Sequence, residues 1–110
     1  MAWTGLGIVT STGVGNLVAI TTNQSSANAR IGCQAILLQA LSNASHTNTG
    51  RVYIFDRSST RIATLAVPST NTIPSAAVTI PNTEGALNAA DYSISAEVSG
   101  DGVDASYLRP

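Results

Sequence analysis

The chain has 110 residues, a formal net charge of −1 and only 10% charged residues, with five arginines and no lysine. This length allows one domain with a core of its own. The lack of a basic stripe argues against a nucleic-acid binder, and the weak overall charge argues against electrostatic attachment to a membrane.

The polar residues are mainly the uncharged Ser, Thr and Asn, whereas the surface of a freely soluble protein is usually rich in charged residues. The apolar residues are mostly Ala, Val, Ile and Leu, and aromatic residues make up only 5% of the chain. In a core of small side chains, the free energy gained by apolar burial exceeds the cost of chain entropy only slightly. Burial of further apolar surface against other subunits would increase that difference. We therefore expect the protein to self-associate.

No apolar run approaches the roughly 20 residues of a membrane-spanning helix. The first residues lack the basic region and the apolar run of a secretory signal, so we expect synthesis in a cytoplasm without signal-directed export. Cys33 is the only cysteine, which permits no intrachain disulfide and no multi-cysteine metal site.

The first 13 residues form a Gly/Thr/Ser-rich segment that precedes the regular strand pattern. Termini are usually disordered unless contacts hold them. We predict either a docking arm or an edge strand over residues 1–13, and a sandwich domain over residues 14–110. The candidate docking residues are Trp3, Leu6, Ile8 and Val9. Residues 14–22 predict a first strand, and residues 23–29 predict a polar turn.

Residues 30–41 fit two kinds of structure. Their apolar run Ile36-Leu37-Leu38 suits a strand that is buried on both faces and also a short buried helix, because periodicity does not separate the two. No N-cap residue stands directly before the segment, and the neighbouring segments are predicted strands. We therefore predict a strand.

The middle of the chain alternates strand and turn signals. Residues 51–56 are rich in β-favouring side chains, residues 57–60 make a turn, and residues 61–67 return as the partner strand. Prolines then confine the next strand to residues 76–80. These prolines are Pro68, Pro74 and Pro81.

Two polar loops flank these strands. Residues 82–90 predict a loop with one helical turn over residues 88–91, and residues 42–50 predict a loop that contains the single histidine, His46. A Ser-His-Asp triad needs an imidazole held in one tautomer, and the chain has no Gly-x-Ser-x-Gly motif. We predict that His46 is an exposed loop residue without a catalytic role.

The final segment alternates strictly between apolar and polar residues around a Gly-Asp-Gly turn. Because two-residue hairpin loops favour Asp-Gly, we predict a hairpin centred on Asp101-Gly102, with Val98 opposite Ala105. Short strands separated by polar turns throughout the chain predict an all-β fold. The pattern fits a β-sandwich or a barrel, and of these we predict one antiparallel β-sandwich of jelly-roll-like form.

Acidic residues near this turn are the remaining candidates for a metal site: Asp91, Glu97, Asp101 and Asp104. Calcium takes about six to eight oxygen ligands, more than a two-residue turn presents, so we predict that Asp101 forms the turn. Cys33 has no basic neighbour along the chain, which predicts a buried, inert thiol. We predict no catalytic residue, no metal, no cofactor and no enzymatic activity.

The aromatic residues offer a binding alternative. Arg51, Tyr53 and Phe55 share one strand face, which suits a sugar-binding platform of the kind that β-sandwich lectins use. Tyr92 and Tyr107 fall on the apolar face of the last segment, so we predict that both lie in the core.

The second half of the chain, residues 48–108, resembles a pattern in small structural proteins of tailed-bacteriophage virions. The residues that carry the resemblance are Asn-Thr-Gly-Arg-Val-Tyr-Ile-Phe-Asp-Arg-Ser at 48–58, Thr-Ile-Pro at 79–81, Tyr-Ser-Ile-Ser-Ala-Glu-Val-Ser-Gly-Asp-Gly-Val at 92–103 and Ser-Tyr-Leu at 106–108. The chain departs from that pattern at Phe55, where Gly is common, and at the inserted Arg57.

This resemblance implies a non-enzymatic β-sandwich that decorates and stabilises the outer surface of a phage capsid as a cement protein. We expect a symmetric homo-oligomer, with a trimer as the expected form, located on the virion and bound to the major capsid protein. We expect no nucleic-acid and no membrane partner. The alternative is a receptor- or glycan-binding module of a phage tail or fibre, which requires an exposed aromatic or acidic pocket.

Overall fold

The described part of the chain forms eight β-strands and one short 3₁₀ turn. The computed structural model describes residues 3–25, 31–42, 50–67, 76–83 and 85–110. The strands are β1 (Trp3–Thr10), β2 (Val18–Ala19), β3 (Ala35–Leu41), β4 (Gly50–Phe55), β5 (Arg61–Val67), β6 (Ala77–Pro81), β7 (Ser93–Ala96) and β8 (Gly102–Leu108). The 3₁₀ turn Ala89–Asp91 is capped by Asn88, whose side-chain oxygen accepts a hydrogen bond from the Ala90 N–H at 3.0 Å.

The strands form two four-stranded antiparallel sheets that pack face to face. Sheet A has the order β1-β8-β3-β6, and sheet B has the order β2-β7-β4-β5. The antiparallel pairs match the first strand with the eighth, the second with the seventh, the third with the sixth and the fourth with the fifth. A long hairpin folded over on itself gives this pairing. The all-β sandwich is confirmed, and its topology is that of a jelly roll.

The core lies between the two sheets and consists of small and medium-sized aliphatic side chains. Ile36 and Leu38 of sheet A and Ile54 and Ile94 of sheet B are fully buried. Residues that alternate with them along each strand point outward, as the pleat requires. No buried aromatic ring contributes to the core among the described residues, in keeping with the low aromatic content of the sequence.

Most of the predicted strands are confirmed. In the predicted strand over residues 30–41, the described residues 31–41 contain strand β3 and no helix, and strands β4 and β5 lie on either side of the predicted turn. The burial of β3 alternates along its length, although its outward residues Leu37 and Leu41 are also apolar and half-buried. This apolar outer face explains why the sequence of the segment suits a helix as well as a strand.

The predicted strand over residues 14–22 is wrong except at the two residues of β2. In the segment before β2, local hydrogen bonds replace the hydrogen bonds between strands. The Ser11 hydroxyl donates to the Asn16 carbonyl at 2.9 Å, and the Gly13 N–H donates to the same hydroxyl at 3.3 Å. Short polar side chains that bond the nearby backbone compete with a strand ladder in this way.

The predicted hairpin centred on Asp101-Gly102 is also wrong, because β7 and β8 lie in opposite sheets. β7 pairs with β2 and β4, whereas β8 pairs with β1 and β3. The chain crosses between the sheets through a turn over residues 98–101, in which the Asp101 N–H donates to the Val98 carbonyl at 3.1 Å and Gly100 has φ +93°. The turn is therefore displaced toward the N-terminus of the predicted one.

The crossing is held to β1 through Ser11. The Ser11 N–H donates to the Asp101 carbonyl at 3.0 Å, and the Ser11 carbonyl accepts from the Gly100 N–H at 2.9 Å. These two bonds extend the β1–β8 ladder into the crossing. Of the predicted loop over residues 42–50, residues 43–49 with His46 lie outside the described residues, as do residues 26–30, Pro68 and Pro74.

Candidate functional site

The candidate docking residues of the N-terminal segment divide into two pairs. Leu6 and Val9 point into the core and are each only 2% exposed, whereas Trp3 is 46% and Ile8 is 52% exposed. A bulge between Gly5 and Gly7 shifts the alternation of the strand by one residue. As a result Leu6 and Val9 both face the core, although they are three residues apart. A docking role for Leu6 and Val9 would require the core to open, so docking stays a prediction for Trp3 and Ile8.

The free edge of β1 is covered by side chains from the segment that follows β2. The Asn23 amide donates to the Ile8 carbonyl at 2.7 Å, and the Gln24 amide donates to the Leu6 carbonyl at 3.3 Å. An uncovered strand edge is a template for pairing with another chain. Because these carbonyl groups are occupied, contact with a partner at β1 would use its exposed side chains rather than its backbone.

The outer surface of sheet A carries almost no charge. We call this surface the sheet A face. It is formed by Trp3, Gly5, Ile8, Ala35, Leu37, Gln39, Leu41, Ala77, Thr79, Pro81, Asp104, Ser106 and Leu108. The strand register places Trp3, Leu108, Ala35 and Pro81 side by side, an apolar row across all four strands. Asp104 is the single charged residue of the face.

An open groove lies on the outer surface of sheet B. Its volume is about 520 Å³, and its lining residues are Val14, Gly15, Leu17, Tyr53, Phe55, Ser59, Arg61 and Ser95. We call it the Tyr53 groove. The segment between β1 and β2 supplies one wall with Val14, 67% exposed, and Leu17, 42% exposed. Strand β4 supplies Tyr53 and Phe55, which face outward because Val52 and Ile54 face the core.

Ser95 lies in the floor of the Tyr53 groove. It is opposite Tyr53 in the β4–β7 register and is only 1% exposed. Its hydroxyl oxygen has no hydrogen-bond partner among the described residues. A buried hydroxyl without a hydrogen-bond partner costs about 1–3 kcal/mol of stability. Ser95 therefore destabilises the fold, and no hydrogen bond within the described protein offsets this cost.

The charges around the groove are arranged around the Tyr53 ring. The Arg61 guanidinium lies 5.1 Å from the ring centroid, at a distance typical of a cation–π contact. The Tyr53 hydroxyl donates to Glu97 Oε2 at 3.2 Å, and Arg51 Nη1 donates to the same oxygen at 3.3 Å. Arg51 is thus neutralised by Glu97 outside the groove, while no ion pair joins Arg61 to a described carboxylate.

The aromatic platform predicted from the sequence is thus only partly reproduced. Tyr53 and Phe55 line the groove, but Arg51 does not. The sequence pattern did not reveal the contributions of Val14, Leu17, Ser59 and Ser95. Alternation along β7 indicates that Ser95 points outward, but nothing in the sequence indicates that it is covered.

Cys33 and Tyr92 occupy the region where residues 31–33 run beside residues 87–89. Cys33 is buried and donates to the Ile31 carbonyl at 3.1 Å. Burial raises the pKa of the Cys33 thiol, an effect that a backbone hydrogen bond from Ala89 partly offsets. The protonated thiol is a poor nucleophile.

Tyr92 is half-buried and packs against the core, as does Tyr107. Burial raises the Tyr92 pKa, and the nearby carboxylates of Asp91 and Asp56 raise it further. Tyr92 lines a smaller polar depression of about 240 Å³ together with Asp56, Arg57 and Asp91. Ser58 and Ala86 complete its lining, and the Ser58 N–H donates to Asp56 Oδ1 at 2.9 Å.

The acidic candidates for a metal site are spread over the structure. Glu97 is engaged by Arg51 and Tyr53, and Asp101 is buried at the crossing between the sheets. Among the described residues, no group of three or more His, Cys, Asp or Glu side chains is placed to hold a metal ion. His46 lies outside the described residues.

Comparisons with protein-family models, with curated proteins and with solved structures found no match for this chain. Within the described ranges, no helix has the length and apolar character that would let it cross a membrane.

Proposed function

We propose that the chain is a non-enzymatic virion structural protein that decorates and stabilises the outer surface of a phage capsid as a symmetric oligomer. The observation that carries this proposal is the sheet A face. In an antiparallel sheet with one solvated face, the residues alternate along each strand so that the apolar ones face the core and the polar ones face solvent. The sheet A face instead carries a continuous apolar row and one charge, as a surface covered by another protein does.

The shape of the face suits docking to a broad protein surface. Four paired strands present it, and its central strand β3 contributes Leu37 and Leu41, which are half-buried in the isolated chain. Docking would remove the remaining exposed apolar area of these residues from water, which is favourable. Asp104 is the only charged side chain of the face that would have to be desolvated. A broad, weakly charged face is suited to the outer surface of a capsid shell.

Stabilisation of the shell follows from mass action. A protein that binds only the assembled capsid lowers its free energy by RT ln(1 + [L]/Kd) at each site, about 2.7 kcal/mol when its free concentration is a hundred times Kd. The contributions of many sites add up over the shell. Trp3 and Ile8 lie at the edge of the sheet A face, exposed on the outermost strand β1. We assign this edge to contacts between neighbouring copies in the oligomer, and the part of the face on β8, β3 and β6 to the shell.

The proposal is tested by cosedimentation of the chain with phage capsids that lack it. Thr79→Asp puts a carboxylate on an exposed position of the sheet A face and should lower binding at least about tenfold, because the charge would be desolvated on docking. Thr64→Asp is the matched control, since Thr64 is equally exposed on an edge strand of sheet B. Equal binding of both variants, or no binding of the unchanged chain, would contradict the proposal.

A further inference from the structure

We propose that the Tyr53 groove is a saccharide-binding site and that its ligand is a pyranose carrying a carboxylate, such as a uronic acid. The groove faces away from the sheet A face, on the outside of sheet B. The two surfaces are therefore independent, and a chain docked through sheet A would leave this groove open to a ligand.

The apolar part of the groove fits a sugar ring. The C–H groups on one face of a pyranose carry slight positive charge and complement the negative face of an aromatic ring. Tyr53 and Phe55, two residues apart on the same side of β4, provide such rings. The orientation of Tyr53 is fixed from two directions, by the Arg61 guanidinium against the ring and by the Glu97 carboxylate at the hydroxyl.

The polar part of the groove needs a ligand with hydroxyl groups. Ser95 holds a hydroxyl with no partner among the described residues in the floor, where a sugar hydroxyl can serve as donor or acceptor. Ser59 adds a second hydroxyl at the rim and has φ +60°, a left-handed conformation that serine rarely adopts. Asp56 enforces this turn, because its Oδ1 accepts from the N–H groups of Ser58 at 2.9 Å and Thr60 at 3.0 Å. Strain of this kind accumulates at ligand sites.

The charge of the groove specifies an acidic sugar. Arg61 is the single charged residue among the groove lining, and no described carboxylate pairs with it. Its planar guanidinium can bind a carboxylate through two parallel hydrogen bonds. A neutral sugar would leave this cation without an anionic partner, and a proline-rich peptide would use the aromatic rings but supply no anion.

The experiment titrates the isotope-labelled full chain with an oligoglucuronate and with a neutral glucose oligomer of the same length, followed by amide chemical shifts. We expect shifts at the groove residues and an affinity for the acidic ligand roughly tenfold or more above that for the neutral one. Monomeric glucuronic acid distinguishes a free sugar from a polymer as the source of the ligand, and binding of either supports the site.

Three variants test the assigned roles. Arg61→Gln should lower the affinity for the acidic ligand to that for the neutral one, whereas Arg57→Gln, an arginine beside the same turn but outside the groove lining, should change neither affinity. Ser95→Ala should weaken both ligands roughly tenfold while the protein stays folded, because the lost hydroxyl has no structural partner.

Any of three results would overturn the proposal: no shift at the groove residues with either acidic ligand, equal affinities for the acidic and neutral oligomers, or the same behaviour of Arg61→Gln and Arg57→Gln. Binding of a proline-rich peptide without saccharide binding would also overturn it. All of these measurements use the isolated chain, so their outcome does not depend on whether it attaches to a capsid.

Discussion

Gly102 owes its identity to the strand beside it. A Cβ atom at this position would overlap the carbonyl group of Val9 and would lie 2.8 Å from the Thr10 Cα. Its φ lies outside the left-handed region, so backbone conformation is not the reason for glycine here. The glycine allows β1 and β8 to approach closely where the chain enters sheet A from the crossing.

Gly102→Ala should therefore destabilise the protein by about 3 kcal/mol or more, because neither backbone can move aside without breaking the β1–β8 ladder. Gly5→Ala is the matched control in the partner strand, since a Cβ at Gly5 meets nothing within 4 Å. We expect Gly5→Ala to change stability by less than about 0.5 kcal/mol. Urea denaturation measures both, and equal losses would show that the close approach does not exist.

Cys33 makes stability depend on pH in the alkaline range. Its pKa is raised in the folded state from an ordinary value of 9.0 by burial. Above that value the unfolded chain loses the thiol proton while the folded chain keeps it, so the free energy of unfolding falls as pH rises through the folded pKa. The stabilisation is fully present below the unfolded pKa.

Denaturation midpoints measured from roughly pH 7 to roughly pH 10 should show this decline in the unchanged chain, and a smaller decline in Cys33→Ala. The raised pKa of Tyr92 leaves a further decline at higher pH in both proteins. Parallel curves for the two proteins would mean that the Cys33 thiol is ionised equally easily in both states.

The sequence predicts where most of the strands lie along the chain, but it does not predict every strand with which each of them pairs. Strand β5 and the turn before it follow from alternation and turn residues, which are local signals. The pairing of β7 with β8 was wrong because an inward apolar face looks the same whether the next strand lies in the same sheet or in the opposite one. Only the contacts of both strands with β1 to β4, which are distant in sequence, decide between the two.

Cross-strand contacts between backbone protons test the crossing directly. We expect strong nuclear Overhauser effects between residues 94 and 54 within sheet B and between residues 105 and 38 within sheet A, because these pairs are opposite each other. No such effect should join residues 98 and 105. Its observation would restore the hairpin and remove the jelly-roll topology.

For the whole molecule, composition predicts a protein that packs against others, but it does not indicate which surface would make the contact. The sheet A face depends on the register of four strands, which brings Trp3, Ala35 and Pro81 into one row from distant parts of the chain. The Tyr53 groove likewise combines a loop between β1 and β2 with strand β4. Neither surface can be predicted from the order of residues along the chain. The alternation along β4 does predict that Tyr53 and Phe55 share one face.

Self-association should be measurable at micromolar concentration. Sedimentation is expected to show a dimer or trimer, and the melting temperature should rise with protein concentration. Trp3→Ser and Ile8→Ser should each weaken association by about 1–2 kcal/mol, since each removes an exposed apolar side chain from the assigned contact. Ile62→Ser, at a 46% exposed position on β5, is the control and should have no effect. A monomer with a concentration-independent melting temperature would contradict self-association.

The proposed attachment of this jelly roll to the outside of a phage capsid through sheet A can be observed by electron cryomicroscopy of the phage particle that contains the chain. We expect density for the two-sheet sandwich on the outer capsid surface, arranged as symmetric oligomers, with β3 and β8 against the shell and the Tyr53 groove toward solvent. Density confined to the tail, or a sandwich whose sheet A face is exposed to solvent, would contradict it.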